Sequence, residues 1–157
     1  MSNEDYKLSP EDRKLLLKDL CARLPYGVRM KGVNEDFDLS IGTAPNRLSY
    51  VLNSVKFSTE TDFKPYLRPM SSMTEEEAME VAKISGLKDV LSVSVKENYI
   101  SVEIDDGVAG CETYTIWFNE IVTSLEVLDW LVDNKFDYRG LIPKGLALEA
   151  KEGMYVE

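Results

Sequence analysis

Carboxylates are the most plentiful reactive side chains in this sequence. Four of them, Glu103, Asp105, Asp106 and Glu112, cluster around a predicted strand–turn–strand. Oxygen ligands of this kind suit Mg²⁺ or Ca²⁺, and a convergent set would equip a small metal-dependent enzyme. The spacing does not fit an EF-hand loop, which needs acidic ligands at alternating positions, a fixed glycine and a closing glutamate. Asp105-Asp106-Gly107 is also ordinary turn chemistry. The turn is therefore the preferred reading and the ion site the alternative.

A second group is basic and aromatic. Lys64, Tyr66 and Arg68 alternate with Pro65, Leu67 and Pro69, and Tyr138 and Arg139 precede Gly140. Loops held by a scaffold often carry binding residues, and arginine beside tyrosine is typical of contact hot spots. These five are the candidate binding residues. The competing reading has the arginines paired with carboxylates and the aromatics filling core gaps. Convergence of Arg68 and Arg139 would imply anion recognition; placement on opposite faces would exclude it.

Several chemistries are absent. The chain has no histidine, which removes the commonest general base and metal ligand and every Ser-His or Cys-His nucleophile. Cys21 and Cys111 form no CxxC pair and cannot make a cysteine-only zinc site. Neither a phosphate-binding nor a dinucleotide-binding glycine motif occurs. No cofactor is expected. Cys21 reads as a small buried residue on a helix face.

The balance of 18 basic against 28 acidic residues gives a formal charge of −10. Such a surface repels phosphate backbones, so direct nucleic-acid binding is not expected. Docking onto a basic protein, or imitating DNA in a basic groove, remains compatible. Apolar stretches fall short of the roughly 18 residues that cross a bilayer, and the first residues are polar and acidic rather than signal-like. The expectation is a cytoplasmic protein without membrane contact; its oligomeric state is not set by the sequence.

The elements that must position these residues follow from periodicity. Residues 1–8 read as a flexible tail and residues 9–157 as one α+β domain. Ser9-Pro10-Glu11-Asp12 opens a helix through capping, a first-turn proline and acids at the positive dipole end. Leu16, Leu17, Leu20, Cys21 and Leu24 form its apolar face, with Lys14, Lys18 and Asp19 elsewhere. Alternation over residues 26–41 predicts a β-hairpin, and Leu48, Tyr50 and Leu52 suggest a third strand. Proline density makes residues 59–73 a loop. Thr74-Glu75-Glu76-Glu77 is a capping box opening a helix to about Ser85, which is the simpler account of its three acids. Three strands follow over residues 90–95, 99–104 and 113–118, joined as a meander. Residues 119–134 read as a helix with Leu125, Leu128, Leu131 and Val132 on one side. Trp117 and Trp130 are expected in core or half-core positions. The fold class is α+β: a largely antiparallel sheet packed with about three helices.

Two segments carry a likeness. Lys64-Pro65-Tyr66-Leu67-Arg68-Pro69-Met70-Ser71-Ser72-Met73-Thr74-Glu75-Glu76-Glu77 is one; Phe136-Asp137-Tyr138-Arg139-Gly140-Leu141-Ile142, running into Gly145-Leu146-Ala147-Leu148-Glu149-Ala150, is the other. With Leu24-Pro25-Tyr26-Gly27-Val28 upstream, the chain resembles small proteins of Bacteroides-type bacteria and their prophages or mobile elements. That group has no established activity, so the resemblance implies a setting and no site residues. The functional expectation is a non-enzymatic interaction or accessory protein that binds a host or phage protein, with a DNA-mimicking inhibitor as its sharpest form. A carboxylate-based metal enzyme and a structural assembly protein are the alternatives.

Overall fold

The computed structural model describes residues 8–57, 63–96, 99–105, 107–108, 110–118 and 124–155. It is a mixed α+β chain with four α-helices and two mostly antiparallel sheets among these residues. The chain divides into two compact units, residues 1–67 with 140–157 (unit 1) and residues 68–139 (unit 2), each with its own cluster of buried side chains.

Unit 1 begins with α1 (Pro10–Arg23), capped as expected by Ser9, whose hydroxyl accepts from the Asp12 N–H at 3.0 Å. Its inner face differs from the one expected. Leu16, Asp19, Leu20 and Arg23 are buried while Cys21 is exposed. The spacing i, i+3, i+4, i+7 still holds, but two of the four places go to opposite charges one helical turn apart. Arg23 Nε donates to Asp19 Oδ2 at 2.8 Å and Nη2 to Oδ1 at 3.2 Å, with both side chains fully buried.

The hairpin forms as expected, β1 (Val28–Lys31) against β2 (Phe37–Leu39), with Val28 opposite Leu39 and Met30 opposite Phe37. The third strand does not. Residues Pro45–Phe57 form helix α2. Leu48, Tyr50 and Leu52 do alternate, but Leu48, Val51, Leu52 and Val55 also repeat at i, i+3, i+4 and i+7, and Val51 and Val55 are buried. The helical register buries more, and Tyr50 and Phe57 are left outside.

The third strand lies instead within the segment read as a loop. β3 (Lys64–Leu67) pairs with β1 through Met30 opposite Pro65 and Lys31 opposite Lys64. Proline costs a sheet one donor, which a strand of only four residues tolerates. β7 (Leu148–Glu149) adds in parallel at Tyr66 and Leu67, beyond the proline, giving the order β2-β1-β3-β7.

Unit 2 contains a 3₁₀ turn (Met70–Ser72) and α3 (Glu75–Ile84), opened by the expected reciprocal capping box. The Glu77 N–H donates to Thr74 Oγ1, and the Thr74 N–H to Glu77 Oε1, each at 3.1 Å. The meander is β4 (Val90–Val95), β5 (Tyr99–Asp105) and β6 (Cys111–Trp117), in that order. α4 (Leu125–Asp133) is capped by Ser124 and buries Val127, Leu131 and Val132, while Leu125 stays exposed. Ile100 and Val102 of β5 face Ala78, Val81, Leu131 and Phe136 in one cluster.

Candidate functional site

The register of the three-stranded sheet places three of the four clustered carboxylates. Side chains directly opposite across an antiparallel pair share a face. Glu103 lies opposite Thr113, and Asp105 opposite Cys111, on one face; Glu112 lies opposite Ile104 and so on the other. Asp106 falls outside the described residues. Asp105 Oδ1 accepts from the Gly107 N–H at 2.9 Å, the turn chemistry read from the sequence. Glu103 accepts from Ser92 Oγ at 3.2 Å. Among the described residues no group of three metal-ligating side chains forms. Of the three described members, Glu112 therefore stands on the opposite face from Glu103 and Asp105.

The five candidate binding residues fall in both units. In unit 1, Lys64 is half-buried at the start of β3 and Tyr66 is buried. The Tyr66 hydroxyl donates to Asp36 Oδ1 at 3.2 Å, and Lys151 Nζ stands 5.5 Å from its ring centre. Burial first, and then the Asp36 carboxylate, push this phenol above its ordinary pKa. In unit 2, Arg68 holds Glu77 in a two-pronged pair, Nη1 to Oε2 at 2.8 Å and Nη2 to Oε1 at 2.7 Å. Its guanidinium also lies 4.1 Å from the centre of the Phe136 ring, itself stacked on Trp130. Arg139 lies 4.8 Å from the ring centre of its neighbour Tyr138, and both are half-buried. Arg68 thus ties the start of unit 2 to α3.

The strand β6 presents a different kind of site, missed by sequence reading. It pairs with β5 over all seven of its residues without a bulge, and among the described residues no strand lies on its other side. Six of its seven side chains are exposed. An edge of this length is a template for further pairing unless proline, lysine, a bulge or a covering element blunts it. β6 contains neither residue. The opposite edge does have such protection: β4 carries an irregularity between Val90 and Ser92 and packs against α3.

The chemistry along β6 is acidic and aromatic. The Tyr114 hydroxyl donates to Glu112 Oε2 at 2.8 Å, and that hydrogen bond and charge push the phenol above its ordinary pKa. On the opposite face Trp117, 47% exposed rather than core, leans on Tyr99 at 4.8 Å. Next to them on that face Ser94, Ser101 and Thr115 align across the three strands, as do Ser92, Glu103 and Thr113. Only two described positions of that face are carboxylates, so it is not a double row of charge.

Unit 2 also holds nearly all the net charge. Residues 68–139 carry 15 acidic and 6 basic residues, a formal −9, against 13 and 12, or −1, in unit 1. Among the described residues no helix is long and apolar enough to cross a membrane. No family model, curated protein or solved structure matches the chain.

Proposed function

We propose that the protein is a non-enzymatic binding module whose unit 2 captures a basic, extended segment of another protein as an added strand on β6. The observation that carries this reading is the open seven-residue edge of β6 within a unit of formal charge −9. In strand addition the backbone supplies affinity and alternating side chains supply specificity. Glu112 and Tyr114 on one face offer a carboxylate and a ring to a lysine or arginine. A second copy of this chain would bring −9 against −9, which disfavours self-pairing. DNA mimicry is the weaker form of the reading, because the hydroxyl rows interrupt the carboxylates. Origin in a Bacteroides-type phage or mobile element is part of the same proposal, with the partner drawn from host or phage.

The test uses the full chain and a labelled peptide of alternating lysine and valine. Binding is expected to weaken with salt and to slow hydrogen exchange at amides of residues 111–117. Glu112→Lys should abolish it. Glu126→Lys, the same charge change on α4, should only weaken it. Unchanged exchange along β6 with peptide bound, or a stable homodimer that occludes β6, would overturn the reading.

A further inference from the structure

In unit 1 the turn over residues 32–35, the start of α2 and Phe63 enclose an open concavity of about 470 Å³. Its floor is aromatic. The buried rings of Phe37 and Phe63 meet edge to face at 5.9 Å, and Phe63 meets the exposed Tyr50 ring in the same way, also at 5.9 Å. Above this floor the exposed guanidinium of Arg47 lies 4.3 Å from the Phe37 ring centre.

Arg47 differs from three of the other arginines. Arg23, Arg29 and Arg68 each pair with a carboxylate. Among the described residues none pairs with Arg47, although acids outnumber bases 28 to 18 in the chain. It also stands in the first turn of α2, where the helix dipole favours an anion and disfavours a cation. Ala44 has no side chain that can cap, and Pro45 has no N–H, so the Asn46 and Arg47 N–H groups open the helix without intrahelical acceptors. Both features favour negative charge at this point.

The floor is held in place by the turn. A Cβ at Gly32 would overlap the Glu35 carbonyl and press to 3.2 Å on the Phe37 ring. Backbone and ring are therefore in close contact with no slack between them.

We propose that this concavity binds a small monocarboxylate carried on an aromatic ring. The carboxylate takes the planar fork of Arg47, and the ring packs on the exposed Tyr50 ring, edge-on against the open rims of Phe37 and Phe63. Glu35, on the rim, sets the charge limit: a single carboxylate is accepted and a phosphate dianion is repelled. The near-neutral balance of unit 1 imposes no general barrier to an anion. The site is separate from β6, so failure of strand addition leaves it unaffected.

The probe is 3-phenylpropanoate, titrated into the isotope-labelled full chain and followed by amide NMR. Saturable shifts are expected at Gly32, Glu35, Phe37 and Arg47, with a Kd on the order of 1 mM for so small a ligand. Arg47→Gln should weaken binding by about tenfold or more and Arg47→Lys by less. Lys14→Gln, at an exposed cation on α1, should change nothing. The uncharged 3-phenylpropanamide should bind about tenfold more weakly, and Glu35→Gln should tighten the carboxylate. No saturable shift up to about 10 mM, equal binding of the amide, or weaker binding by Glu35→Gln would overturn the proposal. If Arg47→Gln fails to fold, the lysine variant and the amide probe still decide it.

Discussion

The hydroxyl of Tyr155 donates a 2.7 Å hydrogen bond to the carbonyl of Tyr66, 89 residues earlier in the chain. The same oxygen accepts from the Arg29 N–H at 2.8 Å. One phenol near the C-terminus thus satisfies backbone groups of both β1 and β3. Together with the Ala150 N–H, which donates to the Leu67 carbonyl at 2.8 Å, it fastens the returning chain to the sheet of unit 1.

Tyr155→Phe removes only an oxygen but leaves an N–H and a carbonyl short of a partner in a partly buried place. The expected cost is about 1–3 kcal/mol, read by chemical denaturation at neutral pH. Burial pushes the Tyr155 phenol up to about 12 from 10.0. Its contribution is therefore complete below pH 10.0 and lost as pH rises towards about 12. The wild type should lose stability across that window more steeply than Tyr155→Phe. Parallel curves for the two proteins would refute the assignment.

The buried pair in α1 gives a larger effect. Asp19 and Arg23 are both at 0% exposure, so Asp19→Ala takes from a buried guanidinium the carboxylate that its Nε and Nη2 both hold. The expected loss is about 3–5 kcal/mol. Replacing both residues by leucine and methionine should cost much less, since no charge is then left without its partner. A loss below about 1 kcal/mol in Asp19→Ala, the range of exposed pairs, would show that water reaches the site.

Neither the Tyr155 bridge nor the buried Asp19–Arg23 pair was legible in the sequence. Caps at Ser9 and Thr74, the hairpin and the meander rest on local rules, and the structure contains them. Asp19 and Cys21 were assigned to the wrong sides of α1 because hydrophobicity alone ranks cysteine inside and aspartate outside. Only the i, i+4 relation to Arg23 signals that a charge can go in. Leu48 and Leu52 fit either period and Tyr50 only that of a strand; Val51 and Val55 decide it, because only a helix puts them on the same side as Leu48 and Leu52. Pro65 hid β3, because a proline argues against a strand wherever the neighbouring strands are unknown. The open edge of β6 is a property of sheet order, which no local pattern encodes; its only trace was a strand free of proline and lysine.

Gly32 should accept no side chain without movement. A Cβ there meets the Glu35 carbonyl and the Phe37 ring, so Gly32→Ala must displace the turn or the ring. Overpacking of this kind costs about 1–3 kcal/mol. The melting temperature should fall, and ring-proton shifts of Phe37 and Phe63 should move together. Gly86→Ala is the useful contrast: nothing lies within 4 Å of its added carbon, and only its φ of +85° is strained. An alanine at Gly32 that leaves both rings undisturbed would contradict the close packing.

The pair of Arg68 and Glu77 contributes to how unit 2 responds to acid. Burial raises the Glu77 carboxyl, but the hydrogen bonds from Arg68 and from the Thr74 N–H outweigh it and hold the pKa below the ordinary 4.5. The sign follows from linkage: stability from this pair is complete above pH 4.5 and is lost as pH falls through the lowered value. The side chains are 24% and 21% exposed, and solvent screening limits the pair to about 1 kcal/mol. Glu77→Gln should lower stability at neutral pH by that order and flatten the acid limb of the stability curve. Arg68→Lys keeps the charge but loses both the fork and the stacking on Phe136, so it should resemble Glu77→Gln at neutral pH rather than the wild type. If Arg68→Lys retained full stability, a point charge would suffice, and neither the two-pronged geometry nor the 4.1 Å ring contact would matter to the fold.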